Sequence, residues 1–130
     1  MPTNEGKALR FKKVASLEQL EAEVQAARQR GQAVMLDVYA DWCVACKELE
    51  ALTFSDPSVQ MRLGEVRLLQ ADVTANNKDD RALMKRFGLF GPPGVLFFNQ
   101  YGGTDPVKKV IGFQNASEFL VSLEQITSVK

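Results

Sequence analysis

Apolar residues recur at helical spacing over Leu17, Leu20, Val24 and Ala27. Ser16-Leu17-Glu18-Gln19 reads as a capping box at the head of that run, and Gly31 closes it, which predicts a first helix. Ala33–Tyr39 changes the period to two. Val34, Leu36 and Val38 fall on one face and Met35, Asp37 and Tyr39 on the other, as in a strand. Val44 to Leu52 returns to a helical pattern, which Thr53-Phe54-Ser55-Asp56-Pro57 interrupts. Asp56 as N-cap and Pro57 at the first helical position restart a short helix through about Leu63.

A second strand follows over Glu65–Val73, carrying Val66, Leu68, Leu69 and Val73. Asn76 or Asn77 caps a helix bearing Ala82, Leu83, Met84 and Phe87 that stops near Gly88. Gly91-Pro92-Pro93-Gly94 is a rigid turn into the apolar strand Val95–Phe98. Turn formers fill Asn99–Asp105, and Val107–Phe113 returns as the second arm of a hairpin. Asn115 with Glu118 caps a last helix bearing Phe119, Leu120, Leu123 and Ile126. The order is helix, strand, helix, strand, helix, strand, strand, helix. A βαβ unit with a right-handed crossover precedes a hairpin and a helix. The expected class is α/β, a mixed central sheet with helices on both faces.

Length and composition narrow this picture. The chain has 130 residues, 45% of them apolar, so one domain with its own core is expected. Residues 1–10 read as a flexible N-terminal tail and 11–130 as that single domain. Sixteen basic residues balance sixteen acidic ones, leaving no basic excess to attract nucleic acid or an anionic lipid surface. No apolar run reaches the ~20 residues of a membrane span, and Met1–Arg10 has no signal-peptide core. The chain is therefore expected either to be cytosolic or to have its export and membrane parts elsewhere. There is no histidine and there are only two cysteines. That removes Ser-His, Cys-His and His-metal chemistry and leaves a structural zinc site short of ligands. Lys47 after the second cysteine rules out a c-type haem attachment.

The candidate chemistry is Cys43 and Cys46 in Asp41-Trp42-Cys43-Val44-Ala45-Cys46-Lys47, between a predicted strand and a predicted helix. Cysteines three apart lie within disulfide reach across one helical turn. The first sits where free N–H groups and the dipole's positive end favour a thiolate. Cys43 is thus the expected nucleophile and Cys46 the buried resolving thiol. Trp42 could shield the site and present a flat contact surface. Two other readings exist, a structural disulfide and half of a metal site. A loop this short contributes little chain entropy, and no second half of a metal site is present.

Trp-Cys-x-x-Cys after a strand, with a proline much later before an apolar strand, resembles the thioredoxin family. The segments Leu36–Glu48, Thr53–Pro57 and Asp72–Asn76 resemble one branch of it, the C-terminal periplasmic domain of the bacterial transmembrane protein DsbD. The resemblance covers about Phe11–Thr127 and implies a three-layer thioredoxin-like fold. It implies a thiol–disulfide oxidoreductase domain that takes electrons from a membrane-embedded donor domain. These pass to a periplasmic, disulfide-bearing acceptor domain and keep periplasmic thiol proteins reduced. It implies a periplasmic location as part of a longer inner-membrane protein, a monomeric domain, and no cofactor besides the Cys43–Cys46 disulfide. A free-standing thioredoxin-like reductase, a cytochrome c maturation protein and a binding module with a structural disulfide are the alternatives.

Asp37 is the anomaly of its strand. It is either solvent-facing or a buried acid beneath the cysteines, acting as proton acceptor for Cys46; the resemblance implies the second. Glu50 follows Cys46 by four residues and shares its helical face. It is either an ordinary solvated glutamate or, by the same resemblance, a second acid at the site. Together the two carboxylates would oppose the helix dipole, raise the Cys43 pKa and leave the free domain a reluctant nucleophile. The resemblance further implies a cis peptide at Pro93, facing the cysteines in a loop on which a partner segment can add as a strand. A plain double-proline turn is the alternative. Pro92 has no N–H to offer such a segment, so docking would rest more on Trp42, Phe90 and the cysteines.

Overall fold

The computed structural model describes residues 9–101 and 103–127. Of the expected tail, only Leu9 and Arg10 fall among them, and Leu9 packs against the core. The elements are β1 (Lys12–Lys13), α1 (Leu17–Gln29), β2 (Val34–Tyr39), α2 (Val44–Glu48), a π-helical turn (Leu49–Thr53) and α3 (Pro57–Arg62). They continue with β3 (Arg67–Asp72), α4 (Lys78–Arg86), β4 (Gly94–Phe98), β5 (Lys108–Ile111) and α5 (Ala116–Thr127).

The strands form one mixed sheet in the order β1-β3-β2-β4-β5. β3 runs parallel to both β1 and β2, whereas β4 is antiparallel to β2 and β5. β2 is central, and all six of its residues are buried because helices cover both faces of the sheet. Val34, Leu36 and Val38 pack with Leu69, Leu96 and Phe98 under α1 and α4. Met35, Val95 and Phe97 pack on the other face with Leu49, Phe54 and Phe119. Phe97, Phe98 and Phe119 are each fully buried, a contribution of roughly 1.5–3 kcal/mol apiece. Tyr39 departs from the expected alternation. At the strand's end it joins Ala40, Cys43 and Cys46 in the first cluster.

Local chemistry explains where the helices begin. The Ser16 hydroxyl accepts from Gln19 N–H, and the Gln19 side chain returns to Ala15 N–H. Asp56 accepts from Ser58 and Val59 N–H ahead of Pro57. Asn77, not Asn76, caps α4, exchanging hydrogen bonds with Asp80. Asn115 and Glu118 make the same reciprocal pair before α5. Gly31 lies one residue past the C-cap of α1 with φ +67°, where a side chain would be strained.

The structure differs from the sequence expectation in two further places. β1 was not expected; it is only two lysines long and survives because β3 supplies its partners. The helix after the cysteines does not stop at Leu52 but winds into a π turn, closed by Phe54 N–H donating to Leu49 C=O at 2.7 Å. The wider winding puts Thr53 and Phe54 into the core, where the Thr53 hydroxyl donates to Gln114 C=O at 2.6 Å. Both sheet edges carry lysines, Lys12 and Lys13 on β1 and Lys108 and Lys109 on β5, which discourages pairing with another chain.

Candidate active site

β2 delivers the chain to the site and α2 carries it away. Cys43 is the N-cap of α2 in extended conformation, its N–H held by Ala40 C=O at 3.1 Å. Cys43 and Cys46 are joined as a disulfide, and Cys46 N–H points at Cys43 Sγ at 3.1 Å. That N–H is one of the free donors at a helix start and is placed to stabilise negative charge on Cys43 Sγ. Cys43 is 7% exposed and Cys46 2%, so the outer sulfur is the first residue of the pair. Cys46 Sγ lies 4.0 Å from Val38 C=O, the residue after Asp37.

Asp37 is 2% exposed, which excludes the solvent-facing alternative. It is paired in register with Gln70 on β3 and Val95 on β4. Gln70 Nε2 donates to Asp37 Oδ2 at 3.0 Å. Burial is the main force on this carboxyl and pushes its pKa up from 3.8 to about 6. The Gln70 hydrogen bond opposes the rise, the Glu50 charge adds to it, and the Lys13 charge opposes it. Glu50 itself is exposed. It lines a cavity of about 330 Å³ with Leu9, Phe11, Lys13, Phe54 and Gln70, the residue that bonds to Asp37, and it acts on Asp37 through its charge.

Trp42 is 61% exposed, with its indole N–H donating to Thr74 C=O at 3.1 Å. Phe90 is fully exposed beside a surface cavity of about 490 Å³ that also involves Asn76, Arg81, Met84, Lys85 and Leu89. The Pro92–Pro93 bond is cis, in place of the plain turn held open as an alternative. Pro93 is buried and Pro92 half-buried. Gly94 follows because the Leu89 side chain lies over it, 3.1 Å from where a Cβ would stand. The nearby cation Lys47 is engaged elsewhere: Nζ donates to the Tyr39 hydroxyl at 2.6 Å and lies 4.0 Å from Asp41 Oδ1.

Sequence reasoning missed Gln70, Lys13 and Thr74. The first two meet the acids only through the β1-β3-β2 register, and Thr74 meets Trp42 only where two loops lie side by side. Among the described residues, no three of Cys, Asp and Glu gather to hold a metal ion, and no helix is long and apolar enough to cross a membrane.

A family model described as thioredoxin-like matches residues 15–100. The C-terminal domain of Neisseria meningitidis DsbD in its oxidised form superposes with a TM-score of 0.75 at 38% identity, over 90% of this chain and 99% of that one. The chain belongs to the thioredoxin-like family, in the branch of DsbD C-terminal domains. The reduced form of the Neisseria domain matches this thioredoxin-like chain with a TM-score of 0.71 at 39% identity, over 86% and 97% of the two chains. The thiol:disulfide interchange protein DsbD of Ralstonia nicotianae is 54% identical over 115 residues, 88% of this chain. The match spans only 19% of the Ralstonia protein, so the thioredoxin-like chain corresponds to about a fifth of that relative.

Proposed function

We propose that this domain is a protein-disulfide reductase that relays electrons by dithiol–disulfide exchange. Its electrons come from a membrane-embedded donor domain and go to a periplasmic disulfide-bearing domain, and it works in the periplasm as part of an inner-membrane protein. The observation that carries the reading is the Cys43–Cys46 pair at the strand–helix junction, with Asp37 buried one residue from the carbonyl that Cys46 faces. Support for the donor and acceptor comes from the DsbD relatives, of which this chain matches one portion.

The reduced pair acts in two steps. Cys43 thiolate attacks one sulfur of the partner disulfide; a Cys43–partner bond forms, the partner's S–S bond breaks, and one partner sulfur leaves as thiolate. Cys46 then gives its proton to the Asp37 carboxylate and attacks Cys43 Sγ. The Cys43–Cys46 bond forms, the mixed disulfide breaks with the second partner sulfur leaving as thiolate, and the partner departs carrying two electrons, its thiolates taking their protons from water. The donor returns two electrons and the pair is reset. A pKa near 6 leaves Asp37 mostly ionised at neutral pH and able to take that proton.

Cys46→Ser removes the second step and keeps the first. The reduced variant, mixed with oxidised periplasmic extract, is expected to accumulate disulfide-linked adducts at Cys43 that dithiothreitol releases. A variant that forms no adduct would defeat the reductase reading. Docking also depends on Pro92, which offers a partner strand no N–H. Pro92→Thr supplies one, and the KM for the trapped partner should fall roughly fivefold, the size of one net hydrogen bond. An unchanged or higher KM would count against strand addition at this loop.

A further inference from the structure

We propose that Thr74 is a positioning residue for partner docking: it pins the Asp41–Trp42 segment before Cys43 and so sets the indole face against which a partner's disulfide-bearing segment seats. The inference rests on the reductase reading for its purpose, but not for its geometry.

Tyr39 and Asp72 are register partners at the ends of β2 and β3, so the two strands finish at the same level. The loops that follow, through Asp41-Trp42 and through Val73-Thr74, therefore run side by side. Val73 N–H donates to Tyr39 C=O at 2.7 Å and ties the loop bases together. Thr74 then makes two further links between the loops and is itself held by Asp72. Its hydroxyl accepts from Asp41 N–H at 2.8 Å and donates to Asp72 Oδ1. Its own N–H donates to the same Asp72 oxygen at 3.0 Å. Its carbonyl accepts the Trp42 indole N–H at 3.1 Å. A hydroxyl that both donates and accepts is needed here, because it stands between a backbone donor and a carboxylate acceptor. Valine has the shape without either function.

The far side of the segment is held as well. The Tyr39 hydroxyl donates to Asp41 Oδ1 at 2.9 Å and accepts from Lys47 Nζ. Asp41 is thus fixed through both its backbone and its side chain. An indole 61% exposed would otherwise rotate freely and lose that freedom when a partner covers it. Holding it in advance removes that loss, worth roughly threefold to tenfold in affinity for one large side chain.

Trp42 is the only tryptophan in the chain, so its fluorescence reports on this one side chain. In Thr74→Val the anisotropy of Trp42 should fall, and KM for insulin, used as a disulfide-bearing protein substrate, should rise roughly fivefold with kcat unchanged. Thr74→Ser keeps the hydroxyl and should restore both. Asp72→Ala, at an exposed position, removes the acceptor that anchors Thr74 and should move both readouts the same way even if Thr74→Val does not fold. The deciding measurement is a double-mutant cycle: in a Trp42→Ala background, Thr74→Val should leave KM unaltered. Unchanged anisotropy, or a KM effect that persists without the indole, would overturn the proposal. Absence of insulin reduction by the wild type would strike the reductase reading alone, since the anisotropy tests Thr74 independently of turnover.

Discussion

Cys43→Ser is expected to abolish disulfide exchange, with turnover of protein disulfides falling at least a thousandfold, on the order of what removing a catalytic nucleophile costs. Serine at this position is protonated and cannot form the mixed disulfide, so neither step has a starting point. The two cysteine variants should differ in kind. Cys46→Ser traps a partner, whereas Cys43→Ser traps none, because Cys46 is only 2% exposed. Stability should separate this reading from a structural disulfide. Against the reduced wild type, Cys43→Ser should unfold within about 1 kcal/mol of the parent, as for a small side-chain change that creates little cavity. The oxidised protein gains only the closure of a very short ring. Urea titrations of the variant, and of the wild type with and without reductant, check this. A wild type that loses several kcal/mol on reduction, with exchange retained in the variant, would make the disulfide a staple and Cys43 no nucleophile.

The parts of this site that sequence made legible are those whose meaning is local. Cys43 and Cys46 are informative because one helical turn brings them together regardless of the rest of the fold. Asp37 stood out because a charge inside an otherwise apolar strand demands an explanation, and its burial in the central strand supplies the demanding context. Gln70 gave no such signal. It looks like any polar residue in a strand until the β2–β3 register sets it opposite Asp37. Thr74 was hidden for the same reason, since its two links to Asp41 and Trp42 depend on two distant strands ending together. The π turn was hidden by its shortness: one wide turn leaves too few residues to shift an apolar period. Phe90 was expected to serve docking, and it stands exposed because its neighbour Leu89 is the one that turns inward over Gly94.

Asp37→Asn should make the protein more stable and less active at once. In the folded chain burial lifts the Asp37 pKa from 3.8 to about 6, so folding favours the protonated acid. Below about pH 3.8 both states hold the proton and the acid carries no penalty. Between 3.8 and about 6 the unfolded chain releases a proton that the folded chain keeps, so stability falls as pH rises. Above about 6 both are ionised and the penalty is complete. At about 1.36 kcal/mol per pH unit between those values it comes to roughly 3 kcal/mol. Asparagine has nearly the same shape, can still bond to Gln70 and never ionises. Its gain should be absent near pH 3.5, grow through pH 5 and level off above pH 7, where Tm should rise by on the order of 10 °C. The same substitution removes the acceptor for the Cys46 proton, so resolution of the mixed disulfide at pH 7 should slow on the order of a hundredfold. Gln70→Leu offers the opposite control: without the amide that favours the charged form, the pH at which stability is lost should move upward. A gain in Asp37→Asn that did not vary with pH would place its cause in packing. A variant that was stabilised yet resolved the mixed disulfide at the wild-type rate would leave Asp37 a buried acid with no part in proton transfer.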